Sequence, residues 1–200
     1  MTLQETAWSY DQMASHWDGG KFNRKNGIAQ HARALQFSQH KRTAIDIGCG
    51  SSGRIIELLL DAGFTTEGLD ISTEMLRRAQ ARHPDQTFHQ ADICTWAFPQ
   101  KYDFISAWDS IWHAPLESHE SILTKLCGAL EPDGILIFTT GGVDRPGSRT
   151  NPFLGQPLYH AVLGIPKILE VITKAGCICR HLEYDQHPEP HLYLIVQKTG

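Results

Sequence analysis

Nowhere in this 200-residue chain is there an apolar run approaching the roughly 18 residues of a membrane-spanning helix. The N-terminus also lacks the short apolar segment of a signal peptide, so a soluble, cytoplasmic protein without membrane partners is expected. Lys and Arg never occur more than two in a row and the net charge is −4, which speaks against a dedicated nucleic-acid surface. No internal repeat or low-complexity tract interrupts the chain. The five cysteines, at 49, 94, 127, 177 and 179, are odd in number and lack zinc-ligand spacing. Eleven histidines show no ligand pair with a convincing third partner, so no metal is expected. A heptad seam is missing too, and the letters leave the oligomeric state open.

What is present is an ordinary globular balance, 41% apolar and 20% charged, in a length suited to a single domain over residues 1–200. Tyr10, Met13, Ala14 and Trp17 share one helical face, which predicts a helix over 6–17 stopped by Asp18-Gly19-Gly20. With a second helix near 28–35 this makes an N-terminal helical cap over 1–40. Strand patterns then alternate with helical ones: "TAIDIG", a helix capped by Ser51 or Ser52 and closed by Gly63, "TTEGLD", a Ser72-capped helix ending at His83-Pro84. "TFHQAD", "YDFISAW", a helix over 117–130, an "EPDG" turn and the unbroken apolar "ILIFTT" follow. Residues 141–164 are rich in Pro and Gly with little periodicity, which marks them as a lid or acceptor-site insert. A helix starts at Pro166. The last strands, "CICRHLEYD" and "HLYLIVQK", are joined by a linker too short for a crossover helix and must be antiparallel. The expected fold is α/β: a Rossmann-like, doubly wound, seven-stranded and mostly parallel sheet with an antiparallel C-terminal strand and helices on both faces. Ligands in such sheets bind beyond the carboxyl ends of the strands.

Gly48, Gly50 and Gly53 spell the G-x-G-x-x-G of a dinucleotide loop. Asp46, two residues ahead, argues otherwise: its carboxylate would repel a diphosphate and attract a sulfonium or ammonium. Asp70 closes the second strand, where a carboxylate can accept from ribose hydroxyls. Asp92 closes the third, where it can accept from an adenine amino group beside Ile93. No second domain to hold a hydride acceptor is expected from these 200 residues.

On "DIGCGSSG", "GLDIS", "QADI", "YDFISAWDSIWH" and "LEPDGILIFTT", in order and spacing, the chain resembles the class I S-adenosylmethionine (SAM)-dependent methyltransferases from about Tyr10 to Lys198. The resemblance implies SAM as cofactor, with S-adenosylhomocysteine (SAH) as product, and a small-molecule acceptor. It places Asp46, Gly48, Cys49 and Gly50 at the methionine side, Asp70 and Ile71 at the ribose, Asp92 and Ile93 at the adenine. Ala107 and Trp108 fall at the methionyl amino end, and Tyr10 and Trp17 on the helix that covers the cofactor. The usual third glycine of the loop is Ser52 here, with Gly53 following, which shifts the expected helix start by a residue. No Asn/Asp-Pro-Pro-Tyr motif of the kind found in relatives acting on exocyclic amines of DNA follows the fourth strand.

Methyl transfer is an in-line displacement that needs alignment, and a base only where the acceptor must lose a proton. The candidate base is His113, whose reference pKa of about 6.5 suits proton transfer. Asp109, Tyr159 and His160 are further candidates for contact with the reacting groups, and Arg145 and Arg149 for an acidic acceptor. Two other readings stay open: a protein that binds SAM without catalysis, and a nicotinamide-dependent oxidoreductase. The acceptor atom is unspecified.

Overall fold

The structure, a computed structural model, describes residues 2–19 and 22–200; Gly20, part of the expected helix stop, and the side chain of Asp18 lie outside the described residues. Nine strands and seven α-helices are formed among them. The main sheet has the order β3-β2-β1-β4-β5-β9-β8, built from β1 (Thr43–Ile47), β2 (Thr65–Asp70), β3 (Thr87–Gln90), β4 (Tyr102–Ala107), β5 (Leu130–Gly141), β8 (Cys177–Tyr184) and β9 (His191–Lys198). Strands β3, β2, β1, β4 and β5 are parallel, and β9 runs antiparallel to both β5 and β8. The reversed final strand therefore slots inside the sheet and leaves β8 at the edge. The expected seven-stranded fold is the one observed.

Strand residues alternate between two apolar layers. Ile45, Ile105 and Leu136 pack against α6 (His119–Gly128) and α7 (Ile165–Lys174). Their neighbours Ala44, Phe104 and Ile135 pack against α3 (Ile28–Leu35) and α4 (Arg54–Asp61). Burial on both faces is why these strands read as continuous apolar runs.

Three local expectations are corrected, and the insert gains a defined structure. Helix α1 spans Leu3–Met13, not 6–17, because Thr2 and Glu5 form a capping box that starts it earlier; a short α2 (Ser15–Asp18) follows. Helix α4 begins at Arg54 behind Gly53, which sits at φ +68 as the cap, in place of the buried Ser51 or Ser52. The "EPDG" segment belongs to β5, whose register against β4 shifts between Tyr102 and Phe104. The breaker-rich insert is an ordered antiparallel hairpin, β6 (Gly147–Phe153) paired with β7 (Gln156–Val162). Its turn uses Leu154 and Gly155 at φ 49 and 80. The helix α5 (Thr73–Arg82) is capped by Ser72 as expected, and Asp11 of α1 also reaches its first turn, accepting from Ser72 Oγ (2.5 Å) and Glu74 N–H (3.0 Å). A carboxylate at a helix N-terminus is favourable, so this contact docks the N-terminal helix onto the sheet's helical layer.

Candidate active site

A cavity of about 550 Å³ opens beyond the C-terminal ends of β1, β2 and β4. This is the size range of pockets that enclose drug-sized ligands. The glycine loop forms its floor: Gly48 and Cys49 both donate N–H to the Leu69 carbonyl (2.7 and 3.1 Å), which bends the chain back over β2. Gly48 sits at φ +71, where an added Cβ would be 2.3 Å from that of Ser110. Gly50, at φ +57, has no atom within 4 Å of where a Cβ would be, so its backbone faces open space. Asp70 lines the same wall, accepting from Gly50 N–H and Ser72 N–H at 2.9 Å each, and burial raises its pKa above the ordinary carboxylate value.

Among the cofactor candidates, Tyr10, Trp17, Gly48, Gly50, Asp70, Ile71, Ile93 and Trp108 line this cavity. The others are elsewhere. Cys49 points beneath the loop toward Gly68, and burial pushes its thiol pKa up. Ala107 is inside the sheet. Asp92 accepts from Cys94 N–H (2.7 Å) and borders a separate side pocket, shared with Tyr159.

Asp46 is the main correction, because it does not line the cavity and is only 4% exposed. Its Oδ1 is 2.7 Å from Ser106 Oγ, which is in turn 3.0 Å from His31 Nε2. His31 Nδ1 must donate to the Gly27 carbonyl (2.7 Å), since that oxygen can only accept. Ser106 Oγ donates to Asp46 Oδ1. Burial pushes the Asp46 pKa up to about 7 and that of His31 down to about 4. The residue that argued for a cationic ligand is a buried side chain hydrogen-bonded to Ser106.

His113 is settled by the same proton count. Nδ1 donates to the Tyr159 carbonyl (2.7 Å), leaving Nε2 to accept from both Trp112 Nε1–H (2.9 Å) and the Tyr10 hydroxyl (2.7 Å). Burial lowers the ring to about 4. Its one basic lone pair is shared by two donors, so the expectation of a free base at His113 is corrected: the ring ties the N-terminal helix to β7.

Asp109 holds φ 53, fixed by its N–H on Thr139 Oγ1 (2.7 Å), and lines the cavity. Oδ2 accepts from Asn26 Nδ2 (2.9 Å) and Oδ1 from His191 Nε2 (2.9 Å), whose Nδ1 donates to Asp185 (2.5 Å). Two carboxylates face the one ring: burial works against its charge, but the hydrogen bonds and charges of Asp109 and Asp185 raise its pKa. Burial alone would raise Asp109, yet the hydrogen bond and charge of His191 hold it below the usual value. The sequence reading missed His191 and Asp185, since nothing in the letters brings position 191 beside position 109.

Arg54 was missed as well. Its guanidinium lines the cavity, donates to the Asn26 carbonyl (2.8 Å) and Ser52 Oγ (2.9 Å), and sits 5.1 Å over the Phe22 ring. No ion pair to it is formed among the described residues, and burial lowers its pKa. A basic residue directly after the glycine loop was the available signal. At the far wall Arg149 and His160 are cross-strand partners on the β6–β7 hairpin, and both line the cavity; Arg145 does not. Ser110 Oγ and His160 Nδ1 are buried on the same walls without a hydrogen-bond partner.

Comparison with known proteins gives these features a context. Residues 44–134 match a family model described as a methyltransferase domain. A trans-aconitate 2-methyltransferase of Rhodopseudomonas palustris (strain BisB18) is 39% identical over 156 residues, 71% of this chain and 59% of that protein. A dTDP-3-amino-3,6-dideoxy-alpha-D-glucopyranose N,N-dimethyltransferase of Streptomyces fradiae is 26% identical over 135 residues, 66% of this chain and 52% of that protein. The chain thus spans a little over half the length of these curated relatives. Among solved structures, a DhpI–SAH complex superposes with a TM-score of 0.73 at 17% identity, covering 98% of this chain and 97% of that one. With the strand order and the glycine loop, these matches make the chain similar to the class I SAM-dependent methyltransferases, with the methyltransferase-domain match over residues 44–134.

Proposed function

We propose that this chain transfers a methyl group from SAM to a small, carboxylate-bearing acceptor. The observation that carries the reading is a single cavity that joins the glycine loop and Asp70 on one wall to Arg149 and His160 on the other.

The residues present fit the cofactor. Gly50 leaves backbone-lined space, Asp70 offers carboxylate oxygens suited to ribose hydroxyls, and Ser110 Oγ is a buried polar atom in want of a partner. Arg54 suits a carboxylate and Asp109 an ammonium, the two charged ends of an amino acid. Ile71 and Ile93 supply apolar wall for a base. SAM brings a methyl carbon already activated by the adjacent sulfonium. The chain's task is then to align the acceptor and exclude water; such positioning can contribute on the order of 7–11 kcal/mol to the barrier.

Arg149 and His160 supply the acceptor argument. They stand side by side on the inner face of the hairpin, one a guanidinium and the other a ring with an unpartnered Nδ1, a pairing suited to a carboxylate. With His113 engaged on both nitrogens, an acceptor oxygen that is already anionic is the chemistry the site serves without a base. The relatives named for trans-aconitate, a polycarboxylate, support the same class. The hairpin acts as the lid of the acceptor site: Phe153 at its tip packs on His16 and Trp17 (ring centroids 5.9 and 6.2 Å).

The test is SAH formation from SAM with a panel of small acids, amines and phenols. Turnover with acids that yields base-labile methyl esters, and an Arg149→Ala variant with KM for the acid raised about tenfold at little-changed SAM affinity, are the expected results. Turnover restricted to amines would overturn the acceptor class, and no SAH with any acceptor would leave a SAM-binding protein without transfer.

A further inference from the structure

We infer that the acceptor carries a single carboxylate on a flat aromatic body. The inference rests on the proposed transfer to a carboxylate-bearing acceptor, which it narrows. Charge decides the number of carboxylates. Among the described residues, the Lys, Arg, Asp and Glu side chains of the cavity wall are Arg54, Arg149, Asp70 and Asp109, two of each sign. The side pocket, which shares Leu3 with the cavity, adds Asp92 and Glu117 and, among the described residues, no Lys or Arg. SAM brings two positive groups and one carboxylate, a net charge of one. A monoanionic acceptor therefore brings the loaded cavity to neutrality. A tricarboxylate would leave two negative charges in a space that already holds Asp70 and Asp109, and a charge taken from water without a partner is costly. Arg54 does not make up the difference, because the Asn26 carbonyl and Ser52 hold it on the glycine-loop wall.

The rings decide the body. Arg149 and His160 face each other across the hairpin, four residues from its tip at Phe153. With the carboxylate gripped there, Trp112 stands at that end, 6.0 Å from His160 at a tilt of 56°. At the tip end Trp17 meets Phe153 and Phe22, at 6.2 and 6.5 Å with tilts of 51° and 48°. All of these rings line the one cavity. Tilted rings accept a planar aromatic guest in offset or edge-to-face contact, a gain beyond the area buried. An alkyl chain of the same length gains the burial alone.

Kinetics of SAH formation with trans-cinnamate, hexanoate and trans-aconitate test this. Calorimetric titration of trans-cinnamate into the chain loaded with SAH, or with sinefungin, adds a binding readout; sinefungin is a SAM analogue that keeps a positive charge in place of the sulfonium and transfers nothing. The aromatic acid is expected to exceed trans-aconitate about tenfold or more in kcat/KM, and hexanoate about threefold. It is expected to bind about tenfold tighter beside sinefungin than beside SAH. Phe153 is 42% exposed, so its truncation leaves the fold intact. Phe153→Leu is expected to raise the KM for trans-cinnamate about threefold and that for hexanoate by less than about twofold. Asn151→Arg, which adds a cation to the wall, is expected to improve turnover of trans-aconitate selectively. Preference of the unaltered chain for trans-aconitate or hexanoate, or equal binding of trans-cinnamate beside sinefungin and SAH, would overturn this inference while leaving carboxylate methylation standing. SAM binding without turnover of any acid would overturn the carboxylate reading and this inference together.

Discussion

Asp46 and the two histidines His31 and His113 titrate in opposite senses. The histidines sit near 4 in the folded chain against an ordinary 6.5, so the unfolded chain takes up protons first. Their contribution to stability is complete above pH 6.5 and is lost as the pH falls toward 4. Asp46 is raised to about 7 from 3.8, so the unfolded chain ionises first and stability is lost as the pH rises through that interval. Asp46→Asn keeps an oxygen to accept from Ser106 and removes the ionisation. It is expected to be more stable than the unaltered chain by about 1–3 kcal/mol at pH 8.5, with the gap closing toward pH 4, as read from urea unfolding at several pH values. A variant destabilised throughout would mean that the fold does not raise the Asp46 pKa. The sequence showed an acidic residue two positions before the loop but not its direction. Neighbouring strand residues point to opposite faces, so Ile47 lines the cavity while Asp46 does not.

At the scale of elements, glycine at 53 does two things. It adopts φ +68 as the α4 cap, and its missing Cβ leaves room for His83, whose Nε2 would be 2.2 Å away. Gly63 has φ +98 but open space around it. Gly53→Ala is therefore expected to cost about 2 kcal/mol or more, and Gly63→Ala about 1 kcal/mol, by thermal or denaturant unfolding. Equal costs would remove the steric part of the argument. The sheet strands and most helices were legible because burial on both faces leaves long apolar runs and Ser72, Gly63 and Pro166 are strong boundary signals. The β6–β7 hairpin was not. Its first strand is almost entirely solvent-exposed, contains Pro152, and so carries no apolar alternation. Its turn places Leu154 in a left-handed conformation, a residue type that signals no turn. In the site, Asp70, the loop glycines and the aromatic pair Tyr10 and Trp17 could be read from local motifs. Arg54, and the link from Asp109 through His191 to Asp185, required the fold to bring distant segments together.

For the whole molecule, the N-terminal helix and the hairpin both line the cavity beyond the sheet, and His113 joins them through Tyr10 and the Tyr159 carbonyl. Hydrogen exchange in saturating SAM is expected to slow at α1 and at β6–β7 together, with β1, β4 and β5 unchanged; protection confined to the glycine loop would show that these two elements are not part of the site. One cavity, walled by the glycine loop and Asp70, is the proposed binding site of an adenosyl cofactor. Calorimetric titration of the unaltered chain and of Asp70→Ala with SAM tests it most directly. Saturable one-to-one binding that weakens by about 1.5–3 kcal/mol in the variant is the expected result. Identical affinity in the two proteins, or binding of a nicotinamide dinucleotide in place of SAM, would contradict it.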